Sequence, residues 1–238
     1  MKKIRTYDIL AYLKKKKRCT LRELMEKFKV SSATIHRDVS ELVSSRAVER
    51  VRGGIVFADV PLARPGARGY HDRAVANLQA KERIAAKAAG LVSEGDILFL
   101  DSSTTVLAFA EKLLELDFDH LTILTNSVSV MEKFNRFPPH WVLIGLGGNY
   151  DHQLNSILGA AAIRQLSDFN ITKAFVSAFG LNDRTATTNH ERQSELIKRV
   201  LDIAEHRYLL IDGTKLGRSG LYRLSARGAF DAIISDKD

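Results

Sequence analysis

The stretch Val30-Ser31-Ser32-Ala33-Thr34-Ile35-His36-Arg37-Asp38-Val39, followed shortly by Arg50-Val51-Arg52-Gly53-Gly54, constrains the fold more than any other part of this chain. Ile35, Val39 and Leu42 recur at the helical period, so that face of the segment points inward. The opposite face then carries Ser32, Ala33, His36, Arg37 and Ser40, with Thr34 beside them. Short or hydrogen-bonding side chains at the start of such a helix are what reaches base edges when a helix-turn-helix enters the major groove. Thr20, with Glu23 three residues on, predicts a capping box for the preceding helix, whose stripe is Leu21, Leu24, Met25 and Phe28. Ser31 or Ser32 is positioned to cap the second helix, and Ile9, Leu10 and Leu13 supply the inner face of an earlier one. Val48 to Arg52 and Ile55 to Ala58 read as two strands joined at Gly53-Gly54, a wing whose Arg50 and Arg52 reach phosphate.

Charge follows the same division. Residues 1–58 hold fifteen Lys and Arg against six Asp and Glu, while the remainder nearly balances at twenty-one against twenty-two. The whole basic excess sits in the module that carries the helix-turn-helix pattern. At 238 residues the chain has room for that module and one domain with a full core. No apolar run is long enough to span a membrane and no cleavable apolar leader is evident, so the expected location is the cytoplasm and no membrane partner is expected. Cys19 is the only cysteine, which excludes an internal disulfide, and the seven histidines lack ligand spacing, so no metal or cofactor is expected.

These motifs have a family likeness. Arg5 with Ile9, Leu21-Arg22-Glu23-Leu24, Phe28-Lys29-Val30-Ser31, Thr34-Ile35-His36-Arg37-Asp38-Val39 and Arg50-Val51-Arg52-Gly53-Gly54 resemble the winged helix-turn-helix of the DeoR family of bacterial transcriptional regulators. That family usually has arginine at the position of His36. The resemblance implies a double-stranded operator as partner, read through Ser32, Ala33, Thr34, His36, Arg37, Arg50 and Arg52.

Pro61, Pro65 and Gly66 mark residues 59–71 as a linker between a DNA-binding module at 1–58 and a second domain at 72–238. The second domain alternates helix and strand. Ile84 to Val92, Val106 to Leu114, Val128 to Phe134, Ile157 to Leu166 and Glu191 to Ile203 read as helices. Asp96 to Leu100, Leu121 to Leu124, Trp141 to Ile144, Lys173 to Ala178, Tyr208 to Ile211 and Ala232 to Ile234 read as strands. The fold class is therefore α/β: an N-terminal winged helix-turn-helix and a C-terminal Rossmann-like domain with a mainly parallel sheet covered on both faces.

Ligands of such sheets bind beyond the carboxyl ends of the strands. The segments expected there are Asp101-Ser102-Ser103-Thr104-Thr105, Thr125-Asn126-Ser127, Gly147-Gly148 and Asp212-Gly213-Thr214-Lys215. Hydroxyls and free amides at a helix mouth, opposed by a lysine, suit an anion such as a small polar phosphate. Singly, these hydroxyls are ordinary helix caps and the glycine pair an ordinary turn; their recurrence at equivalent strand ends points to a ligand. The same segments, with Lys81, Ile84-Ala85, Ala88-Ala89, Asn149-Tyr150, Gly159 and Ala174-Phe175, are similar to the DeoR-family sensor domain, which shares its fold with ribose-phosphate isomerase, glucosamine-phosphate deaminase and CoA transferases. Where this chain has Ser103, that family usually places glycine.

Three functions compete on this reading. The resemblance implies a regulator, usually a repressor of a sugar catabolic operon, whose DNA affinity is set by a phosphorylated sugar bound through Asp101, Ser102, Ser103, Thr104, Thr105, Thr125, Asn126, Ser127, Gly147, Gly148 and Lys215. An isomerase or deaminase of sugar phosphates with an accessory DNA-binding module is the alternative, and it needs a second acid or base beside Asp101, for which Asp212 and Glu191 are the available carboxylates. A factor that coats DNA without sequence preference fits the confined basic module less well. Two half-sites give a helix-turn-helix protein useful affinity, so a homodimer or homotetramer is expected.

Overall fold

The computed structural model of the chain describes residues 2–16, 18–44, 48–51, 54–57 and 69–237. Its contacts divide the protein into two units, Met1–Ala67 and Arg68–Asp238.

The first unit runs α1 (Lys2–Lys16), β1 (Arg18–Cys19), α2 (Leu21–Phe28), α3 (Ser32–Ser44), β2 (Val48–Val51) and β3 (Gly54–Phe57). The capping box forms as the sequence predicts: the Glu23 amide donates to Thr20 Oγ1 at 3.1 Å and the Thr20 amide donates to Glu23 Oε2 at 2.8 Å. Lys29 turns left-handed at φ 51° and ends α2, so the chain reverses into α3. Ile35, Val39 and Leu42 are buried together with Ile9, Leu13, Leu24, Val48 and Ile55. Arg5 reaches from α1 to Asp38, a fully buried carboxylate on α3, with Nε donating to Oδ2 at 2.5 Å.

The wing differs from the expected hairpin in one respect. Its strands pair as Val48 with Phe57 and Val51 with Gly54, so Gly54 belongs to the strand and not to the turn. The reason is β1, which the periodicity did not reveal and which pairs with the other edge of β3 to give the order β1-β3-β2. A Cβ on Gly54 would lie 2.3 Å from the Cys19 carbonyl oxygen, so only glycine permits this approach. Arg52, Gly53 and Ala58 lie outside the described residues.

In the second unit α4 (Tyr70–Val75) and α5 (Leu78–Ala89) precede β4 (Ile97–Leu100), α6 (Thr104–Leu113), β5 (Thr122–Thr125), α7 (Val128–Lys133) and β6 (Val142–Gly145). There follow β7 (Asn149–Asp151), β8 (Ser156–Leu158), α8 (Ala160–Gln165), β9 (Ile171–Val176), β10 (Gly180–Leu181), β11 (Thr185–Thr188), α9 (Glu191–Ile203), β12 (Ala204–Leu210), β13 (Tyr222–Ala226) and β14 (Ala232–Ile234). Six strands form one parallel sheet ordered β6-β5-β4-β9-β12-β14. Both faces are covered: Leu98 and Leu100 pack with Ile84, Ala88 and Phe109 on one side, and Phe99 packs with Leu196, Ile197 and Val200 on the other. Such two-sided burial is why these strands read as unbroken apolar runs.

The order also locates the ligand crevice. From β4 the chain builds outward through β5 to β6, then returns to the far side of β4 with β9 and builds the other way. The two directions diverge between β4 and β9, and the crevice beyond their carboxyl ends is the favoured binding place of doubly wound sheets.

Several elements depart from the sequence reading. The expected helix at Ile157 to Leu166 is interrupted: Ile157 pairs with Tyr150 in the β7–β8 hairpin, its amide donates to the Asn126 carbonyl at 2.8 Å, and Gly159 at φ 98° turns the chain into α8. A long-range pairing wins there over a helical apolar pattern. Helix α5 starts at Leu78, a turn and a half before the apolar stripe at Ile84 becomes visible. The antiparallel sheet β10-β11-β13 was not expected at all. Helix α4 occupies Tyr70 and the residues after it, where the linker reading ended.

Candidate effector site and nucleic-acid interface

Asp101 stands just past the last residue of β4 and is fully buried. Its Oδ1 accepts the Ser103 amide and its Oδ2 accepts the Ser177 amide, each at 2.8 Å. Burial raises the carboxyl above its ordinary range, and the hydrogen bonds from Ser103 and Ser177 oppose that rise. Ser103 follows at φ −75°, in extended backbone that any residue adopts, and its hydroxyl caps α6 by accepting the Val106 amide at 3.1 Å. The first-turn amides of Thr104 and Thr105 remain outside the helical ladder, as at any helix start.

On the next strand end, Asn126 is fully buried and donates from Nδ2 to Ser156 Oγ at 2.8 Å. Thr125 donates to the Leu100 carbonyl at 2.6 Å and accepts the Ser127 amide at 3.0 Å, while Ser127 Oγ accepts the Val130 amide at 3.3 Å. These two hydroxyls, like that of Ser103, bind β4 to β5 and cap helices. Sequence reasoning placed them correctly at the strand ends, but they are committed within the protein.

The fourth strand end brings Asp212 and Lys215. Asp212 accepts from the Thr214 hydroxyl and, at 3.1 Å, from Asn77 Nδ2, and Lys215 Nζ lies 3.6 Å from Asp212 Oδ2. Burial pulls the Asp212 carboxyl upward, yet the bonds from Thr214 and the Lys215 charge outweigh it and hold the group below its ordinary value. Burial lowers the Lys215 ammonium.

Three residues of α4 and α5 complete the surroundings and were missed as site residues. Tyr70 and Arg73 come from α4, with the Arg73 guanidinium 5.7 Å from the Tyr70 ring centre. Lys81, on α5, is buried and donates to the Arg73 and Ala74 carbonyls. Its ammonium is pushed down to about 8, first by burial and then by the Lys215 charge. Nothing local marks these residues: Ala76 is extended and Asn77 left-handed between α4 and α5, so the spacing of Tyr70, Arg73 and Lys81 carries no helical alignment. Ser177 was hidden inside the expected strand Lys173 to Ala178, with nothing to mark its amide as the partner of Asp101.

Around this crevice lie Tyr70 Oη, Arg73 Nε, Thr105 Oγ1, Asn126 Oδ1 and Ser177 Oγ, buried atoms that have no hydrogen-bond partner within the protein. Buried polar groups are almost always paired, so such a cluster marks a place completed by something else. Arg73, Lys81 and Lys215 meet here with Asp101 and Asp212, and Asp151 also acts on Arg73, so the charges nearly balance and it is the partnerless donors and free loop amides that suit the crevice to an anion. Ser102 is buried beside them, and the Thr104 hydroxyl donates to the Arg73 carbonyl at 3.3 Å. Gly147 and Gly148 follow the edge strand β6, roughly 10 Å across the sheet from β4. They are exposed, and Gly147 is held at both its amide and its carbonyl by the Gln165 side chain. No described contact joins them to Asp101 or Lys215. Among the described residues, no three His, Cys, Asp or Glu side chains gather at metal-ligand range.

In the first unit, Ser32, Ala33, His36 and Arg37 are exposed along α3, while Thr34 is half-buried with its hydroxyl 3.0 Å from that of Ser31. Arg50, on β2, is exposed and places Nη2 3.3 Å from His36 Nδ1. The wing therefore touches the outward face of α3 at the residue where this chain departs from the family pattern. Arg52 lies outside the described residues.

A winged helix-turn-helix joined to an α/β unit with an anion-suited crevice at its switch point defines a ligand-responsive transcriptional regulator. The chain belongs to the DeoR family: residues 5–60 match its DeoR-like helix-turn-helix domain and residues 76–237 its DeoR C terminal sensor domain. The chain is 31% identical over 238 residues to the HTH-type transcriptional regulator IolR of Bacillus subtilis, covering all of this chain and 92% of that one. It is 28% identical over 233 residues to the repressor GlcR of the same organism, covering 98% and 88%. It is 28% identical over 229 residues to the glycerol-3-phosphate regulon repressor of Escherichia coli, covering 96% and 88%. These relatives are named as regulators, and the chain is a transcriptional regulator of the same family. Among solved structures, a D-ribose-5-phosphate isomerase in complex with phospho-erythronic acid is similar at 14% identity and a TM-score of 0.41, over 57% of this chain and 52% of that one.

Proposed function

We propose that this protein represses a sugar catabolic operon, binding a double-stranded operator through α3 and the wing and responding to a phosphorylated sugar held in the α/β unit. Base edges are read by Ser32, Ala33, Thr34, His36 and Arg37, and phosphates by Arg50 and Arg52. The sugar phosphate occupies the crevice at the β4–β9 switch point, with its anionic group toward the α6 mouth and Lys215. Its hydroxyls then meet Asp101, Asn126, Ser102, Thr104 and Thr105. Gly147 and Gly148 border the site from β6, and Ser103, Thr125 and Ser127 hold its loops in shape. The protein acts in the cytoplasm as a homodimer or homotetramer, matching two half-sites.

The observation that carries this reading is the cluster of partnerless buried polar atoms that α4, the mouth of α6 and the ends of β5 and β9 bring together, beside Arg73, Lys81 and Lys215. Asp101 and Asp212 are both engaged by donors inside the protein, which suits a carboxylate that orients ligand hydroxyls better than one that shuttles protons. The test is operator binding with and without each of a panel of sugar phosphates, for the wild type and Lys215→Ala. An effector shifts operator affinity by its own differential affinity for the two states, about five- to 150-fold in coupled systems. The reading fails if no sugar phosphate changes operator affinity.

A further inference from the structure

We propose that α4 is itself part of the effector site: Tyr70 and Arg73 touch the bound ligand, Arg73 pairing with its anionic group, so that the ligand grips the helix that opens the α/β unit. This rests on the sugar-phosphate reading above and adds residues and a route to it. Two of the partnerless buried atoms, Tyr70 Oη and Arg73 Nε, belong to α4. Arg73 is half-buried, and its buried Nε donor without a partner is costly to keep, because the guanidinium always carries its charge and its planar fork is built for bidentate anions. The bond it does make, from Nη2 to the Gln153 carbonyl, is long at 3.4 Å. The argument extends to Tyr70, whose ring is buried and whose hydroxyl approaches Ser129 without forming a full hydrogen bond.

The fastening of α4 explains why occupancy would matter. The Arg73 carbonyl is held from α5 by Lys81 and from α6 by Thr104. Both ties are at the carboxyl end of a six-residue helix, two of whose side chains, Tyr70 and Arg73, carry a buried atom without a hydrogen-bond partner. A ligand carrying an anionic group and hydroxyls supplies the missing acceptors and adds a third tie, directly on Arg73. Helix α4 begins at Tyr70, close in sequence to Ala67, where the contacts of the DNA-binding unit end. The ligand therefore acts on the segment through which the chain passes from one unit to the other, and the difference in α4 order between the two states is the differential interaction any effector needs.

The experiment uses the full-length chain, with glucose 6-phosphate, fructose 6-phosphate, glycerol 3-phosphate, inorganic phosphate and unphosphorylated glucose as probes. Calorimetry ranks them on the wild type, and the tightest phosphorylated probe is carried to Arg73→Gln and Tyr70→Phe. Arg73→Gln should weaken that probe by about 10- to 150-fold, the range of a charge-assisted hydrogen bond. Tyr70→Phe should weaken it by about three- to tenfold, while the ligand-free melting temperature changes little, because the hydroxyl makes no full hydrogen bond inside the protein and only approaches Ser129. In the wild type, saturating probe should slow amide exchange across residues 70–76, and Arg73→Gln should abolish that protection. If both variants bind the probe as the wild type does, or if Tyr70→Phe melts lower with unchanged affinity, α4 is structural only and the proposal is overturned while the sugar-phosphate reading stands. If no phosphorylated probe binds the wild type, that reading falls and the assignment of Arg73 falls with it.

Discussion

The Ser177 amide donates to Asp101 Oδ2 at 2.8 Å, and this single bond spans the point at which the parallel sheet changes direction. Asp101 follows β4 and Ser177 follows β9, so the carboxylate bridges the two halves of the sheet while its other oxygen holds the α6 loop through Ser103. One buried side chain thus ties the ends of β4 and β9 and the α6 loop together.

Asp101→Asn should test this bridge. Asparagine keeps one acceptor but turns an NH2 group toward either the Ser103 or the Ser177 amide, leaving a buried donor facing a donor. We expect a loss of about 1–3 kcal/mol in stability, the cost of an unsatisfied buried group, together with weaker sugar-phosphate binding. Chemical denaturation and calorimetry measure the two effects; unchanged stability would show that the bridge does not hold the halves together.

Lys81 predicts a pH dependence of stability. Its ammonium titrates at about 8 in the folded protein against an ordinary 10.5, because burial and Lys215 disfavour its charge. Between those values the unfolded chain binds the proton and the folded one does not, so stability rises with pH through that window and the gain is lost as pH falls through about 8. The shift corresponds to at most roughly 3 kcal/mol, reduced by the carbonyls of Arg73 and Ala74 that accept from the charged form. Denaturation of wild type and Lys81→Met at pH 7.5 and 9.5 should show the wild type gaining more; parallel profiles would sink the prediction.

Arg5→Met should unfold the DNA-binding unit first. Asp38 is fully buried, and removing its guanidinium partner leaves its charge uncompensated, which costs more than the loss of an exposed ion pair. Thermal melts should show the transition of the first unit lowered, operator binding lost and sugar-phosphate binding retained.

On the DNA face, Arg37→Ala should lose about 1–3 kcal/mol of discrimination between operator and random duplex. Arg50→Ala should weaken both duplexes alike and flatten the slope of log affinity against log salt by about one unit. Fluorescence anisotropy across a salt series separates the two roles, and equal behaviour of both variants would contradict the division between base reading and phosphate contact.

What the sequence determined by itself is local. The Thr20–Glu23 capping box, the inward stripe of Ile35, Val39 and Leu42 and helix α9 at Glu191–Ile203 are legible because the pattern that sets them lies within a turn or a few residues of chain, and the strand Ala232–Ile234 is legible as a short apolar run although its pairing with β12 is distant. The confinement of basic charge to the first module and the hydroxyl-rich strand ends were equally open to reading. Tertiary structure decided which of those hydroxyls are available. Thr125 is committed to the Leu100 carbonyl and Ser127 to the Val130 amide, whereas Thr105 and Asn126 keep an unpartnered atom, and nothing in their neighbouring residues distinguishes the two cases. Gly54 looked like a turn glycine until β1 arrived 2.3 Å from where its side chain would be, and Ile157 looked helical until Tyr150 paired with it. Ser177 and Arg73 joined the crevice only through partners distant in sequence. A residue's periodicity and capping are written in its neighbours, but whether its polar atoms are already satisfied depends on what folding brings to them.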